Sequence, residues 1–175
     1  MSTMKVLICQ EIKNLVWEVR ERPVPGDNEA LIKIKTVGIC GTDIQAWAGN
    51  QPFFSYPRVL GHEICGEIIE SGKNIHNFNI GQQVAVIPYI SCQQCPACKS
   101  GRTNCCEKIS VIGVHQDGGF SEYLSVPVAN ILPADGIDPQ AAALIEPFAI
   151  SAHAVRRAAI APSEQVLVVG AGPIG

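Results

Sequence analysis

Along the first half of the chain, apolar residues come in short runs broken by Gly, Pro and charged positions. Lys5–Cys9 and Leu15–Arg20 are β-prone runs separated by a polar stretch, and Pro23, Pro25 and Gly26 mark the turn that follows. From Leu31 to Val37 the pattern partly alternates. Ile32 and Ile34 fall on one face and Lys33 and Lys35 on the other, the period of a half-buried strand. His62–Ile69, Gln83–Ile87 and Phe120–Val126 are further strand candidates, and the Gly and Pro recurring between them point to a small barrel or sandwich. Helical character is expected only after Asp138, a candidate N-cap with Pro139 at the first helical position. Pro147 divides that region into two helical pieces meeting near Glu146, the second running to about Ile160, before Pro162. Gln165–Val169 is then an apolar run of the kind found in buried parallel strands. The segment from Cys92 to Cys106 breaks the pattern. It is poor in large apolar residues and rich in Cys, Gln, Gly and Lys, so something other than a core must hold it.

Composition narrows the class. With 175 residues, 47% hydrophobic and 17% charged, the chain suits one well-buried globular domain, and 6% aromatic residues imply a mostly aliphatic core. A net charge of −3 offers no basic footprint for nucleic acid. No apolar run approaches the roughly 20 residues of a spanning helix, and the apolar stretch within Met1–Gln10 is too short for a secretory signal. A cytoplasmic protein is expected, with neither nucleic acid nor membrane as partner. In a reducing compartment its eight cysteines are metal ligands or small core residues rather than disulfides.

Spacing separates those two uses. Cys92, Cys95 and Cys98 are three apart, and Cys106 follows eight later. Two-residue gaps let thiolates converge on one tetrahedral ion, and four of them leave no open position, so such a site is structural. Cys105 competes with Cys106 for the fourth place, because adjacent side chains diverge and only one of them can coordinate. Cys9 and Cys65 lie in apolar strand runs and read as core residues. A second, mixed set consists of Cys40 in Val37–Asp43, His62 and Glu63 in Gly61–Gly66, and Glu146 at the helical break. One Cys, one His and carboxylates suit a zinc site with an exchangeable position. Spacing alone does not join them.

At the end of the chain, Gly170-Ala171-Gly172-Pro173-Ile174-Gly175 follows the apolar run. After a buried strand this is the dinucleotide fingerprint, whose glycines allow a tight turn and close approach to pyrophosphate. Gly170, Gly172, Pro173, Ile174 and Gly175 are the candidate cofactor residues. The acidic or basic position about 20 residues further on, which separates NAD from NADP, lies beyond Gly175. The expectation is therefore a partial chain that binds up to two zinc ions without dehydrogenase activity of its own, with Val166–Val169 an orphan strand.

These motifs resemble, in order, the zinc-dependent medium-chain alcohol dehydrogenases. Gly61-His62-Glu63, Gly66, Gly72 and Ile75 are similar to the family's zinc signature. The Cys92/Cys95/Cys98/Cys106 lobe is similar to its structural zinc loop, which favours Cys106 over Cys105. Cys40-Gly41-Thr42-Asp43 resembles its first catalytic ligand motif, and Asp117–Tyr123 the strand after the lobe. Ile145-Glu146-Pro147 resembles the polyol and threonine dehydrogenase branch, within which the chain looks most like bacterial hexonate dehydrogenases.

The resemblance implies a mainly β, GroES-like (chaperonin-10-like) barrel catalytic domain over residues 1–150, with its structural lobe at 92–106. A connecting helix at 151–164 and the first strand of an α/β Rossmann domain at 165–175 would follow. It implies two zinc ions per chain, one catalytic and one structural, and NAD or NADP with NAD favoured. A polyol or sugar acid as substrate and a homo-oligomer at full length are also implied. Cys40 and His62 become metal ligands, while Glu63 and Glu146 are ligands or act through water. Thr42 would begin a proton relay and Glu63 would share in catalysis. Gln45 departs from the pattern, since many relatives have His there as the proton exit. Phe53, Phe54 and Tyr56 line a pocket or pack a loop, with packing preferred. Two other classes compete: a non-enzymatic zinc-stabilised interaction module, which needs only the four-cysteine site, and a zinc-free reductase, which would lack both ligand sets.

Overall fold

The structure is a computed structural model describing residues 2–175. Ten strands and four α-helices follow one another as β1 (Thr3–Glu11), β2 (Asn14–Glu21), β3 (Glu29–Gly38), α1 (Gly41–Ala48), β4 (Arg58–Val59), β5 (Glu63–Ser71), β6 (Gln83–Val86), β7 (Tyr89–Ile90), α2 (Pro96–Lys99), β8 (Ser110–Val111), β9 (Tyr123–Pro127), β10 (Ile131–Pro133), α3 (Pro139–Ala143) and α4 (Ile145–Ala158). The predicted runs at Lys5, Leu15, Leu31, His62, Gln83 and Phe120 correspond to β1, β2, β3, β5, β6 and β9. The strands form a five-stranded sheet in the order β10-β6-β5-β3-β9, a three-stranded sheet β2-β1-β4 and the β7-β8 ribbon, every pairing antiparallel. Phe120–Glu122 stitches the sheets together: Leu7 N–H donates to the Phe120 carbonyl at 2.8 Å and Ile34 N–H to that of Glu122 at 3.0 Å.

The core is aliphatic, as the composition implies. Ile32, Ile64, Ile68, Val84, Val86, Ile112 and Val126 form its centre, and Ile34 packs on it from a half-buried position. Beyond Ile32 the alternation on β3 holds, with Lys33 and Lys35 exposed and Ile34 half-buried between them. Leu31 is fully buried as well. A β-bulge between Leu31 and Ile32 interrupts strict alternation there, and α3 packs across β3 and β5. Cys9 and Cys65 are fully buried core residues. Asp138 caps α3, accepting from the N–H groups of Gln140 at 2.9 Å and Ala141 at 3.3 Å, with Pro139 behind it.

Three expectations need correction. Helical structure begins well before Asp138: α1 and α2 were hidden because eight and four residues are too few to display a helical apolar period. The helix predicted for 151–164 begins at Ile145 and ends at Ala158, because Pro147 stands in its first turn, where a missing N–H costs nothing. Gln165–Val169 forms no strand, and Val166–Val169 are exposed. A parallel strand exists only through neighbours on its edges, and none pairs with it among the described residues. No helix among the described residues is long and apolar enough to cross a membrane.

Candidate metal centres

Two separate groups of metal-ligating side chains come together. The first is the lobe, in which Cys92, Cys95, Cys98 and Cys106 offer sulfurs that all lie within 4.8 Å of one another. Local geometry places each one. Cys95 precedes Pro96 at the start of α2, and Cys98 lies inside that helix. A short 3-10 helix, Thr103–Cys105, delivers Cys106 inward while Cys105 is left exposed. Sulfurs also serve as acceptors: Cys106 Sγ receives the backbone N–H groups of Cys92 and Lys108, each at 3.3 Å. The N–H groups of Gln94 and Cys95 lower the Cys92 thiol to about 6, whereas desolvation pushes Cys98 up to about 12. Four clustered sulfurs with donors aimed at them are a thiolate nest, and its donor set fits a closed tetrahedral zinc site. The lobe's interior consists of these sulfurs with Ala97 and Ile109, too little apolar surface to hold a fold unaided.

The second group joins residues far apart in sequence. Cys40, His62 and Glu63 each offer a ligand atom within 4.8 Å of the others. Cys40 stands just before α1, and the helix begins there because Asp43, in its first turn, accepts the Cys40 N–H at 2.8 Å. The other Asp43 oxygen accepts the Gly61 N–H at 3.1 Å and lies 3.7 Å from His62 Nδ1. One buried carboxylate thus ties the Cys40 segment to the His62 segment. Burial raises the Asp43 pKa; His62 and the two N–H groups oppose that shift. This residue was missed in the sequence. The signal was an acidic residue three positions after Cys40, the spacing of a capping box.

The His62 segment is clamped from outside. Asp117–Phe120 runs beside it: Gly118 N–H donates to the Val59 carbonyl at 2.8 Å, Gly119 N–H to that of Gly61 at 2.8 Å and Phe120 N–H to that of Leu60 at 2.9 Å. Asp117 accepts from Val59 N–H at 3.1 Å and pairs with Arg20 at 2.8 Å. A β-carbon at Gly118 would overlap the carbonyls of Gly61 and Leu60, so glycine is required for this approach. At Gly38 a β-carbon would overlap the Glu63 carboxylate, so the end of β3 leaves the space that Glu63 fills.

His62 is 6% exposed, and its Nδ1 has no hydrogen-bond partner. Burial raises the pKa of Glu63 and that of the Cys40 thiol. A buried carboxyl, a half-buried thiol and a buried imidazole brought this close together make a poor metal-free site. A cation would compensate the carboxylate and thiolate while the ring keeps Nδ1 toward Asp43, so the residues fit zinc.

Glu146 stands beside this trio but outside it. It is buried in the first turn of α4, and its Oε1 accepts the Tyr89 hydroxyl at 2.5 Å. Its charge contributes to the upward shifts of Glu63 and Tyr89. Tyr89 was not singled out in the sequence, and no local signal links it to a residue 57 positions away. The Thr42 hydroxyl lies 3.8 Å from Cys40 Sγ, next to the trio. Gln45 turns away, its amide oxygen accepting from Asn50 at 3.2 Å. Phe54 and Tyr56 pack edge to face, 4.8 Å between centroids, against Cys9, Ala46 and Leu60, while Phe53 is 75% exposed. The fingerprint residues Gly170–Gly175 form an exposed bend in which Ser151 Oγ donates to the Ile174 carbonyl at 2.8 Å.

Residues 26–136 match the alcohol dehydrogenase GroES-like domain. The chain is 87% identical over 175 residues to L-galactonate-5-dehydrogenase of Escherichia coli K12, covering all of this chain and 52% of that protein. The NADH complex of the short chain alcohol dehydrogenase RspB from E. coli CFT073 superposes with a TM-score of 0.93 at 39% identity, over 99% of this chain and 51% of that one. Galactitol-1-phosphate dehydrogenase of E. coli gives 0.80 at 31% identity, over 89% and 45%. The chain spans about half the length of the curated relatives it matches.

Proposed function

The chain belongs to the alcohol dehydrogenase GroES-like domain family, and we propose that it forms the metal-binding half of a nicotinamide-dependent dehydrogenase that oxidises a secondary alcohol of a hexonate such as L-galactonate. The observation carrying this reading is the mixed trio Cys40, His62 and Glu63, which leaves a fourth direction for substrate, together with a separate all-sulfur group that leaves none. Two zinc ions per chain are assigned, a structural one to Cys92, Cys95, Cys98 and Cys106 and a catalytic one to Cys40, His62 and Glu63, with Glu146 at its side. Bound there, zinc would act as a Lewis acid that makes an alcohol hydroxyl more acidic.

The chain's own residues supply the rest. Thr42 Oγ1, beside Cys40, is assigned the first acceptance of the substrate proton. Gln45 cannot titrate near neutral pH and is engaged with Asn50, so the proton leaves by water or by the Glu63 carboxylate. Gly170, Gly172, Pro173, Ile174 and Gly175 are assigned to the pyrophosphate turn of the cofactor site, whose chemistry is hydride acceptance. Among solved relatives one holds NADH and another NADP, so the cofactor is assigned as NAD or NADP, with NAD favoured by the family resemblance alone. A cytoplasmic homo-oligomer acting on a small polyol or sugar acid completes the reading.

Metal analysis with NAD reduction tests it. The chain should carry two zinc ions, and a protein that joins it to a complete cofactor domain should reduce NAD with L-galactonate in preference to simple alcohols. One zinc per chain with no turnover would instead favour the non-enzymatic zinc module.

A further inference from the structure

Tyr89 belongs to no motif, yet its hydroxyl makes the one side-chain bond described for Glu146. Its backbone is held from two directions. Tyr89 pairs with Val111 across the β7-β8 ribbon, and the Asn130 amide donates to the carbonyls of Ile87 at 2.8 Å and Tyr89 at 3.1 Å. A ring on so fixed a backbone is a rigid arm. Its hydroxyl reaches Glu146 Oε1 at 2.5 Å, within the short range of an O–H bonded to a charged oxygen. Glu146 starts α4, where the helix dipole favours a carboxylate. Its side chain still has several rotatable bonds, and nothing in the helix alone selects the rotamer that faces Cys40, His62 and Glu63.

We propose that Tyr89 is a positioning residue: its hydroxyl tethers Oε1 of Glu146, so that this carboxylate stays beside the mixed metal centre without joining the trio of Cys40, His62 and Glu63. This rests on the reading of that trio as a metal site. The Tyr89 hydroxyl engages only Oε1, which leaves Oε2 to face an incoming ion or its water. Tyr89 and Glu146 also line a cavity of about 700 Å³ together with Ile87, Val111, Ile145 and Ala149, so the tether sits at the wall of an open space and not inside the core. A group bonded directly to a metal ligand is worth about 10–100-fold in metal affinity, and Tyr89, acting one step further out through Glu146, should lie at the lower end of that range.

Cadmium as a zinc substitute provides the test, with metal affinity and cadmium NMR measured on the full chain. The wild-type chain should show two resonances, one from the all-sulfur lobe and one from the mixed centre. Tyr89→Phe keeps the ring and removes the hydroxyl. It should move the mixed-centre resonance and weaken cadmium binding there by about tenfold, leaving the sulfur resonance in place as a check on folding. In a Glu146→Ala background, which removes the acceptor, the same change should add little, because Tyr89 acts through Glu146. A mixed-centre resonance and affinity unchanged by Tyr89→Phe would overturn the proposal, as would full additivity of the two substitutions. A wild-type chain with the sulfur resonance alone would instead show that the mixed centre is no metal site, and the proposal would fall with that reading.

Discussion

Replacing Asp43 with Ala tests how the mixed centre is assembled. Asp43 is 3% exposed and bonds two backbone N–H groups on different segments, Cys40 at 2.8 Å and Gly61 at 3.1 Å. Alanine leaves both donors unpaired. A stranded buried donor costs about 1–3 kcal/mol. The Gly61 N–H takes the full penalty because it is buried, while the Cys40 N–H, only partly buried, costs less. Against this stands the release of a carboxylate whose ionisation burial already opposes. The net loss should be about 2 kcal/mol, a visible part of a stability of about 5–15 kcal/mol. Urea denaturation of the metal-free chain should show the midpoint falling by about 1 M at an unchanged slope. Metal affinity at the mixed centre should fall by about 10–100-fold, since His62 also loses its facing carboxylate. Zinc in the four-cysteine lobe should be retained. If Asp43→Ala shifts stability by less than about 0.5 kcal/mol and leaves the mixed-centre affinity intact, Asp43 does not tie the two segments together.

Three further outcomes follow from the same geometry. Cys106→Ser should lower zinc content by one ion per chain and Cys105→Ser should leave it unchanged, as read by metal analysis, because only Cys106 is turned toward the other sulfurs. In the metal-stripped chain Cys92 should be alkylated ahead of Cys98 at neutral pH. The thiolate is the reacting form, so its rate should fall as pH drops through about 6, followed by mass spectrometry of the labelled peptides. The stabilising effect of that depressed pKa has the same sign: present above the ordinary thiol range, it is lost as pH falls through about 6. Gly38→Ala should weaken metal binding at the mixed centre while the lobe keeps its zinc, since the added methyl overlaps the Glu63 carboxylate at the end of β3.

Much of this molecule was legible before any coordinates. Alternation at Leu31–Val37 and the runs at Lys5, Leu15, His62 and Gln83 mark real strands: those at Leu31, His62 and Gln83 bury side chains in the central aliphatic core, and those at Lys5 and Leu15 pack in a second cluster around Val6, Ile8 and Val59. The four-cysteine lobe was readable because its ligands fall within fifteen residues, so spacing alone constrains their geometry. The short helix α1 was not, because a cap and a left-handed Gly49 at its end define it more than any apolar period.

What only the tertiary structure decided are the relations between distant segments. Cys40, His62 and Glu63 were candidates by type, but their meeting depends on β3 pairing with β5, which sets Gly38 opposite Glu63. That Glu63 joins the trio while Glu146 is held aside by Tyr89 depends on where α4 packs against β5 and β6, which brings its first turn within reach of the Tyr89 hydroxyl. The apolar run Gln165–Val169 shows the converse: its composition suits a strand, yet strand hydrogen bonds must come from neighbouring chain segments, and none is paired with it among the described residues. Local sequence determines a ligand set or a strand's preference because those depend on adjacent residues. Which side chains finally meet depends on the packing of the whole chain.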